Sequence, residues 1–389
     1  MTANTKHDVV IYGATGFTGK LVVEYMAKTY PAGSGVAWAM AGRSAEKLAA
    51  VRDEMGAPAE TPLIVADAGD AASLKAMAEQ ATCVLTTVGP YTHYGEPLVA
   101  ACAEAGADYV DLSGEPLWMR EMISKYSDAA KASGARIVHS CGFDSIPFDL
   151  GVQFLQEEAT NKFGGPCPRV RGRMVKMQGT FSGGTAASGA ATLAKVKEDP
   201  SLLAPLMDPF SLSEGFRGPE QPPLNDIYEE DGVWLAPFVM ATINTKNIHR
   251  SNALLGHAYG EDFVYDEMMI AGPGDKGKAA AEMISKVRMD SKDAPKPGEG
   301  PSKEEREAGF YEYAAIGETA KGEKITVKVT GDRDPGYGST SKIIAEAAIC
   351  LATECADALG GVYTPAPILG AKLRERLIKN AGLTFNVVS

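Results

Sequence analysis

Three glycines near the start of the chain have a spacing that suits the binding of a phosphorylated ligand. Gly13, Gly16 and Gly19 follow an apolar run at residues 9–12 and precede a stretch with helical periodicity. In a strand–turn–helix unit, such glycines permit a tight turn, close approach of the backbone to a pyrophosphate, and close packing of helix on strand. The start of the helix then offers unpaired N–H groups to the phosphates. We therefore predict dinucleotide contacts at Gly13, Thr15, Gly16, Phe17, Thr18 and Gly19.

The residues after the second and third apolar runs favour NADP over NAD. The glycine spacing is GxxGxxG rather than GxGxxG, a variant common among NADP-dependent enzymes. Arg43 and Ser44 stand where an NAD site usually carries an acidic residue, and an arginine can donate two hydrogen bonds to a 2′-phosphate. The alternative is that Arg43 is a solvated surface residue and that Ser44 only caps a helix. Asp67 is predicted to lie either beside the adenine amino group or in a simple turn.

Further candidates follow the fourth apolar run. Ligands of a parallel sheet bind beyond the carboxyl ends of the strands, so Gly89, Pro90 and Tyr91 are predicted to lie beside the nicotinamide. Tyr91 and Tyr94 are the candidate proton donors, because a phenol placed there can act as a general acid. His93 shares this position. The alternative is a helix-entry turn that carries surface polar groups.

Polar side chains also follow the fifth and sixth apolar runs. Asp111 is predicted to be buried and hydrogen-bonded to the backbone rather than to act as a general base. Cys141 is a candidate nucleophile only if a histidine activates it, and the sequence alone shows no such pair. Asp144 or Ser145 is predicted to cap the helix in whose first turn Pro147 lies.

Other kinds of chemistry lack their motifs. The sequence contains no HExxH, no GxSxG and no P-loop, and its five histidines are dispersed, so we predict no metal site. None of the six cysteines forms a CxxC pair, which suits a reducing compartment. The net charge of −12 disfavours nucleic acid as a partner, because nucleic acids bind basic surfaces.

The apolar runs and the first residues predict a cytoplasmic protein without a transmembrane segment. The chain starts with MTANTKHD, which lacks the apolar region of a signal peptide. No run approaches the ~18–20 apolar residues that a membrane-spanning helix requires. Peripheral membrane contact and formation of a homodimer remain open.

Strand-like and helix-like segments alternate through the first 150 residues. Apolar runs at 9–12, 36–41, 62–66, 83–88, 109–112 and 136–140 are separated by helical patterns at 19–30, 44–55, 70–80, 95–106 and 117–133. Repeated βα units form a doubly wound parallel sheet with helices on both faces. The chain of 389 residues is long enough for two or three domains. From the alternating pattern, residues 1–150 are predicted to form one of them, an α/β, Rossmann-type nucleotide-binding domain.

The composition changes from about residue 151. We predict a strand at 170–177, an alanine-rich helix from about 185, a hairpin of 309–317 and 323–330, and a helix at 339–359. Residues 198–232 are predicted as loops with short helices, and residues 289–308 as a charged loop. A second domain, residues 151–335, is expected to supply the substrate site.

Taken in order, these motifs resemble those of the saccharopine dehydrogenase-like oxidoreductases, and most closely the branch with mycobacterial trans-acting enoyl reductases. The similar segments are residues 13–19, 41–44, 88–91, 94–97, 109–115, 141–147, 336–338 and 361–366. The resemblance implies an NADP(H)-binding Rossmann domain and an α+β domain with a mixed sheet, with C-terminal helices at 336–389 packed back on the first domain. By motif position, Gly13, Gly16, Gly19 and Arg43 carry over as cofactor contacts.

The resemblance leaves three functions to weigh. The first is an NADPH-dependent enoyl reductase that reduces an activated C=C bond of an acyl or polyketide-like substrate. The second is a saccharopine-type C=N or 2-oxo acid reductase, whose charged substrate needs arginines. Arg250 is the preferred anion-binding residue, and Arg169, Arg171 and Arg173 are further candidates. The third is a catalytically silent nucleotide-binding protein associated with lipid.

An acyl substrate would instead need an apolar cleft. The candidates for its walls, with core packing as the alternative role, are Trp234, Phe238, Met240, Met268 and Met269.

Overall fold

A computed structural model of the chain describes residues 6–179, 183–286 and 300–389. Its strands are β1 (His7–Tyr12), β2 (Trp38–Gly42), β3 (Leu63–Val65), β4 (Ala81–Thr86), β5 (Asp108–Val110), β6 (Arg136–Val138), β7 (Arg169–Gln178), β8 (Tyr228–Glu230), β9 (Val233–Pro237), β10 (Val264–Gly272), β11 (Phe310–Glu318), β12 (Lys324–Gly331), β13 (Gly361–Tyr363) and β14 (Leu383–Val387). Its α-helices are α1 (Phe17–Thr29), α2 (Ala45–Glu54), α3 (Ala71–Ala78), α4 (Tyr91–Tyr94), α5 (Glu96–Ala105), α6 (Pro116–Ser133), α7 (Ile146–Phe163), α8 (Gly183–Glu198), α9 (Leu203–Met207), α10 (Ala241–Leu254), α11 (Gly274–Ile284), α12 (Lys303–Ala308), α13 (Thr340–Glu354) and α14 (Pro365–Arg376). No helix within the described ranges is both long and apolar enough to span a bilayer.

Seven parallel strands form the first sheet, in the order β13-β6-β5-β4-β1-β2-β3. The strand β1 lies inside the sheet between β4 and β2, and its residues Val9, Val10 and Ile11 are fully buried, as expected for a parallel strand covered by helices on both faces. The order of the first six strands is that of a doubly wound α/β fold. The predicted Rossmann-type sheet is therefore confirmed.

The second sheet is mixed, and its order is β14-β12-β11-β7-β10-β9-β8. The strands β7 and β10 run parallel, whereas the other neighbours are antiparallel. The strands β11 and β12 form the predicted hairpin, whose turn contains Gly322 with a φ of +82°. Gly151 of α7 lies close against Val329 and Tyr313, so that α7 covers one face of this sheet. The second part of the predicted fold class is confirmed as well.

The C-terminal segment contributes to both sheets. The helix α13 packs on α1, β1 and β4, and β13 extends the parallel sheet beside β6. The last strand, β14, instead pairs with β12 in the mixed sheet. The boundary predicted at residue 150 falls inside α7, so we propose that the first domain ends in the turn that precedes α7.

Several elements of the structure were not predicted, and α12 and α10 are two of them. Residues 303–308 form the helix α12 where a loop was expected, because Ser302 and Glu305 make a reciprocal capping box. The helix α10 was not predicted, because most of its residues are polar in type although nearly all are buried. The other part of the predicted loop, residues 289–299, lies outside the described residues.

Glu346 connects the C-terminal segment to the first helix. Its side chain is fully buried, and its carboxylate accepts hydrogen bonds of 2.6 Å from the hydroxyls of Tyr25 and Tyr30. Arg376 Nε donates to the same carboxylate at 2.8 Å, and Asn380 Nδ2 donates at 3.2 Å. Because α1 begins at the glycine turn, this cluster holds that helix from its far end.

We expect Glu346→Ala to lower the free energy of unfolding by about 3–5 kcal/mol, since it removes one partner of a buried ion pair. Glu354→Ala is the matched control, because Glu354 pairs with the same Arg376 through a side chain that is 36% exposed. The control should lose about 1 kcal/mol or less. Urea unfolding measures both values, and equal losses would contradict a special role for the buried cluster.

Candidate active site

A cleft of about 1560 Å³ lies at the carboxyl ends of the parallel strands. One wall includes the turns that follow the strands β1 to β6, and the opposite wall includes α8, residues 206–210 and 217–225, and the start of α10. Small-molecule sites usually measure roughly 300–1,000 Å³. The cleft therefore has room for a dinucleotide and a second ligand.

The glycine turn has the geometry that phosphate binding requires. Gly13 has a φ of +89°, and a Cβ on Gly19 would lie only 2.1 Å from the Gly13 carbonyl oxygen. Only glycine at both positions lets α1 start directly beneath β1. Gly16 occupies the N-cap of α1, and no side chain caps that helix, so its first N–H groups are available to an anion.

Most of the predicted turn residues face the cleft. Gly13, Thr15, Gly16, Phe17 and Thr18 line it, whereas Gly19 is in the contact between helix and turn. These residues fit a dinucleotide, because the backbone of the glycine turn and the unpaired N–H groups at the start of α1 could bind its phosphates.

Of the three polar candidates after β2 and β3, two line the cleft and one caps a helix instead. Arg43 is exposed and lines the cleft, and it has no hydrogen bond or ion pair within the described ranges. Ser44 does not line the cleft, and it caps α2 by accepting a hydrogen bond of 3.3 Å from the Lys47 N–H. Asp67 lines the cleft while it also accepts a bond from the Gly69 N–H. Burial and the Asp67 charge raise the pKa of Tyr12 to about 12.

Glu115 holds the turn that follows β4. Its side chain is 1% exposed, and its carboxylate accepts bonds of 2.8 Å from the backbone N–H groups of Tyr91 and Thr92. Ser188 of α8 donates to the same carboxylate at 2.7 Å. Gly89 of this turn lines the cleft, whereas Pro90 does not. One buried carboxylate therefore fixes both walls at this end of the cleft.

The two predicted proton donors occupy different environments. The Tyr91 hydroxyl donates to the Thr86 carbonyl and accepts from the Leu112 N–H, and burial raises the pKa of this phenol well above its usual value. Both of its hydrogen-bonding roles are therefore used within the fold, which argues against donation to a substrate. Tyr94 lines the cleft at its rim, where 49% of the residue is exposed.

The turn before α7 brings a carboxyl group into the cleft. Asp144 lines the cleft, and its buried Oδ1 atom has no hydrogen-bond partner in the part of the chain that the structure describes. Burial raises the pKa of this carboxyl to about 7. Ser145 occupies the N-cap of α7, but its hydroxyl accepts from Asn247 Nδ2 at 2.8 Å instead of capping the helix. The predicted side-chain cap is therefore wrong.

Two other polar candidates are structural. Asp111 is fully buried and accepts hydrogen bonds from the Ser113 and Ser140 N–H groups, as predicted. His139 Nδ1 lies 2.7 Å from the same carboxylate. Cys141 is fully buried, and burial raises the pKa of its thiol well above the usual range, which argues against a nucleophile.

The four arginines considered as anion-binding residues, Arg169, Arg171, Arg173 and Arg250, lie outside the cleft, whereas Arg217 lines it. The structure therefore does not place Arg250 at the proposed substrate site. Its guanidinium donates to the Leu212 and Val362 carbonyls at 2.5 and 2.7 Å, and it borders a separate cavity of about 380 Å³. Arg169 and Arg173 both pair with Asp266, and Arg171 pairs with Glu230 and Glu318. These positive charges are already neutralised by the protein itself.

Lys246 is a site residue that the sequence did not indicate. It lies on α10, lines the cleft, and is 2% exposed. Burial lowers the pKa of its ammonium group to about 8. It stands in the polar stretch TINTKNIHRSN, which has no pattern that marks a buried helix.

The wall around Lys246 is largely apolar. Of the apolar candidates, only Met240 lines the cleft. The apolar residues that form this wall are Leu193, Leu206, Met207, Pro209, Phe210, Leu224, Val239, Met240 and Ile243. Within the described ranges, no group of three or more His, Cys, Asp or Glu side chains could hold a metal ion.

Comparisons with known proteins agree with this geometry. Residues 9–138 match the family described as the saccharopine dehydrogenase NADP binding domain. A protein of Mycobacterium tuberculosis (strain H37Rv), provisionally named a trans-acting enoyl reductase, is 42% identical over 97% of this chain and 97% of its own length. The trans-acting enoyl reductase of Mycobacterium bovis (strain BCG) is 38% identical over 96% of each chain.

Among solved structures, the apo saccharopine dehydrogenase (L-Glu forming) from Saccharomyces cerevisiae matches with a TM-score of 0.53 and 11% identity, over 98% of this chain and 99% of that one. This likeness shows the fold alone. The sequence relatives and the matched domain make the protein an NADP-dependent oxidoreductase with NADP(H) as its cofactor. The chain belongs to the saccharopine dehydrogenase-like oxidoreductases, in the branch of the trans-acting enoyl reductases.

Proposed function

We propose that this oxidoreductase reduces an activated C=C bond in an acyl or polyketide-like substrate. The observation that carries the proposal is the chemical division of the cleft. One half presents the glycine turn and Arg43. The other half, from α8 to α10, presents many apolar side chains together with the charged groups of Asp208, Arg217, Glu220 and Lys246. Such a wall stabilises an acyl chain by burying it, at about 25 cal/mol for each Å² removed from water. The relatives named trans-acting enoyl reductases support the same reaction.

The cofactor would bind with its phosphates at Gly13, Gly16 and the start of α1. Its 2′-phosphate would meet Arg43, and Gly89 would allow close approach of the backbone near the nicotinamide. Bound NADPH supplies a hydride, which the β carbon of the substrate receives. The protein then has to orient the two ligands, exclude water and stabilise the enolate that forms.

The saccharopine-type reaction is the less favoured alternative. A multiply charged substrate needs several free arginines. Arg169, Arg171 and Arg173 are paired with carboxylates and Arg250 bonds to backbone carbonyls, which leaves Arg217, besides Arg43, as the arginine among the described residues that lines the cleft. A catalytically silent protein would bind NADPH without consuming it. The homodimer, the cytoplasmic location and peripheral membrane contact stay predictions.

We expect Arg43→Ala to weaken NADPH binding by at least ~10-fold, or about 1.4 kcal/mol, and to leave NADH binding unchanged. The reason is that only NADPH carries the 2′-phosphate that the guanidinium would hold. Titration of both nucleotides measures the effect. Lys47→Ala is the control, because Lys47 is exposed and does not line the cleft. Equal weakening of NADPH binding and NADH binding would show that Arg43 does not bind the 2′-phosphate.

The chain-length dependence of turnover tests the substrate class. With 2-enoyl thioesters of increasing length, kcat/KM should rise by roughly fourfold per added CH₂ until the apolar wall is covered. The reason is that burial of each CH₂ contributes about 0.8 kcal/mol. NADPH absorbance follows the reaction. Leu193→Asp should flatten this rise, whereas Met283→Asp, at a residue that is 71% exposed and outside the cleft, should not. Turnover only with 2-oxo acids and amines would favour the saccharopine-type reaction.

Replacement of the two tyrosines separates their roles. Tyr91→Phe should lower the free energy of unfolding by ~1–3 kcal/mol, because the Leu112 N–H loses its acceptor, while kcat falls by less than ~10-fold. Tyr94→Phe should alter neither quantity by more than a small amount, since its ring is at the exposed rim. A loss of kcat of ~100-fold or more in either variant, with stability retained, would restore that phenol as the proton donor.

A further inference from the structure

Lys246 lies on the face of α10 that is directed into the cleft. Val239, just before the helix, precedes Lys246 by seven residues, and Ile243 precedes it by three. All three line the cleft, as expected for residues on one helical face. Lys246 has no hydrogen bond or ion pair to any residue that the structure describes, although it is 2% exposed. The side chain is buried except where it borders the cleft, so a ligand in the cleft can supply a hydrogen-bond partner to its ammonium group.

The opposite face of α10 holds the helix in place. Asn247 Nδ2 donates to Ser145 Oγ at 2.8 Å, and Asn244 Nδ2 donates to Glu267 Oε1 at 2.7 Å. Ser251 Oγ donates to Asp149 Oδ2 at 2.9 Å. The first of these bonds joins α10 to the turn after β6, so Lys246 lies at the carboxyl edge of the parallel sheet, where the reacting end of the cofactor is expected.

We propose that Lys246 binds the carbonyl oxygen of the enoyl substrate and donates the proton that completes its reduction. This inference rests on the proposed function. As the β carbon receives the hydride, the C=C electron pair moves toward the carbonyl and gives an enolate oxygen, which the ammonium group stabilises. A proton then passes from Nζ to the α carbon, and the neutral amine regains a proton from water. Bound NADPH would supply the hydride and would thereby be oxidised to NADP⁺.

The charged groups around Lys246 suit this role. Burial lowers its pKa to about 8, and the Asp208 carboxylate opposes that shift in part. His249 on the same helix is held neutral, because burial and the Lys246 charge lower its pKa to about 3. Asp144, whose pKa burial raises to about 7, lines the same cleft together with Tyr265. The ammonium form, and with it turnover, should therefore decrease as pH rises through about 8.

The experiment compares wild type with Lys246→Met and Lys246→Arg, using an enoyl thioester that wild type reduces. Lys246→Met should lower kcat by at least ~100-fold, leave the NADPH Kd unchanged and abolish the decrease near pH 8. Lys246→Arg should keep KM near the wild-type value, because it still offers a cation to the carbonyl, but its kcat should stay low because an arginine does not release its proton. Lys197→Met, on an exposed residue outside the cleft, is the control and should match wild type.

Stability separates a catalytic role from a structural one. Lys246→Met should unfold at an equal or higher urea concentration, because it replaces an unpaired buried cation by an apolar side chain. Retention of kcat within ~3-fold in both Lys246 variants would overturn the assignment of Lys246 alone. A wild-type protein that binds NADPH and consumes none of it with any enoyl thioester would overturn the proposed function, and this inference with it.

Discussion

The buried carboxylate of Glu115 joins the two walls of the cleft. It accepts hydrogen bonds from the backbone N–H groups of Tyr91 and Thr92 in the turn after β4, and from the Ser188 hydroxyl of α8. Hydrogen bonds to an ionised acceptor are stronger than neutral ones, and the low local dielectric strengthens them further. Because these donors come from both walls, the position of the turn after β4 and the position of α8 are set together.

The two halves of the cleft are suited to different ligands. At one end, glycine at positions 13 and 19 lets α1 begin against β1, and Arg43 lines the cleft without a hydrogen bond to any described residue. At the other end many side chains are apolar, and the buried Lys246 lies among them. A charged, phosphorylated cofactor and an apolar acyl chain with a polar carbonyl match this division.

The sequence predicted the features that depend on local pattern. The parallel strands, their helices, the glycine turn and the hairpin of β11 and β12 follow from periodicity and turn residues within short windows. The three-residue strand β13 was beyond this approach, because only its pairing with β6 makes it a strand. The hydrogen-bond partners of Arg250 could not be predicted either, since they are the carbonyls of Leu212 and Val362, which are 38 and 112 residues away in the sequence.

Lys246 shows why the candidate site was less predictable than the fold. A lysine in a polar stretch is usually solvated, whereas this one is 2% exposed and borders the cleft, on a helix that packs against α7 and β10. The same holds for Tyr91, whose hydroxyl looked available in the sequence but bonds to the backbone at Thr86 and Leu112. Burial and hydrogen-bond partners are properties of the assembled structure, and they decide the chemistry of both residues.

The most direct test of the central claim follows the hydride itself. NADPH that carries deuterium at C4 of the nicotinamide, on the transferred face, is incubated with the protein and a 2-enoyl thioester, and the product is analysed by mass spectrometry and NMR. We expect a saturated thioester with one deuterium at the β carbon and a solvent proton at the α carbon. A product with deuterium at any other position, or recovery of unreduced thioester with intact NADPH, would contradict the central claim.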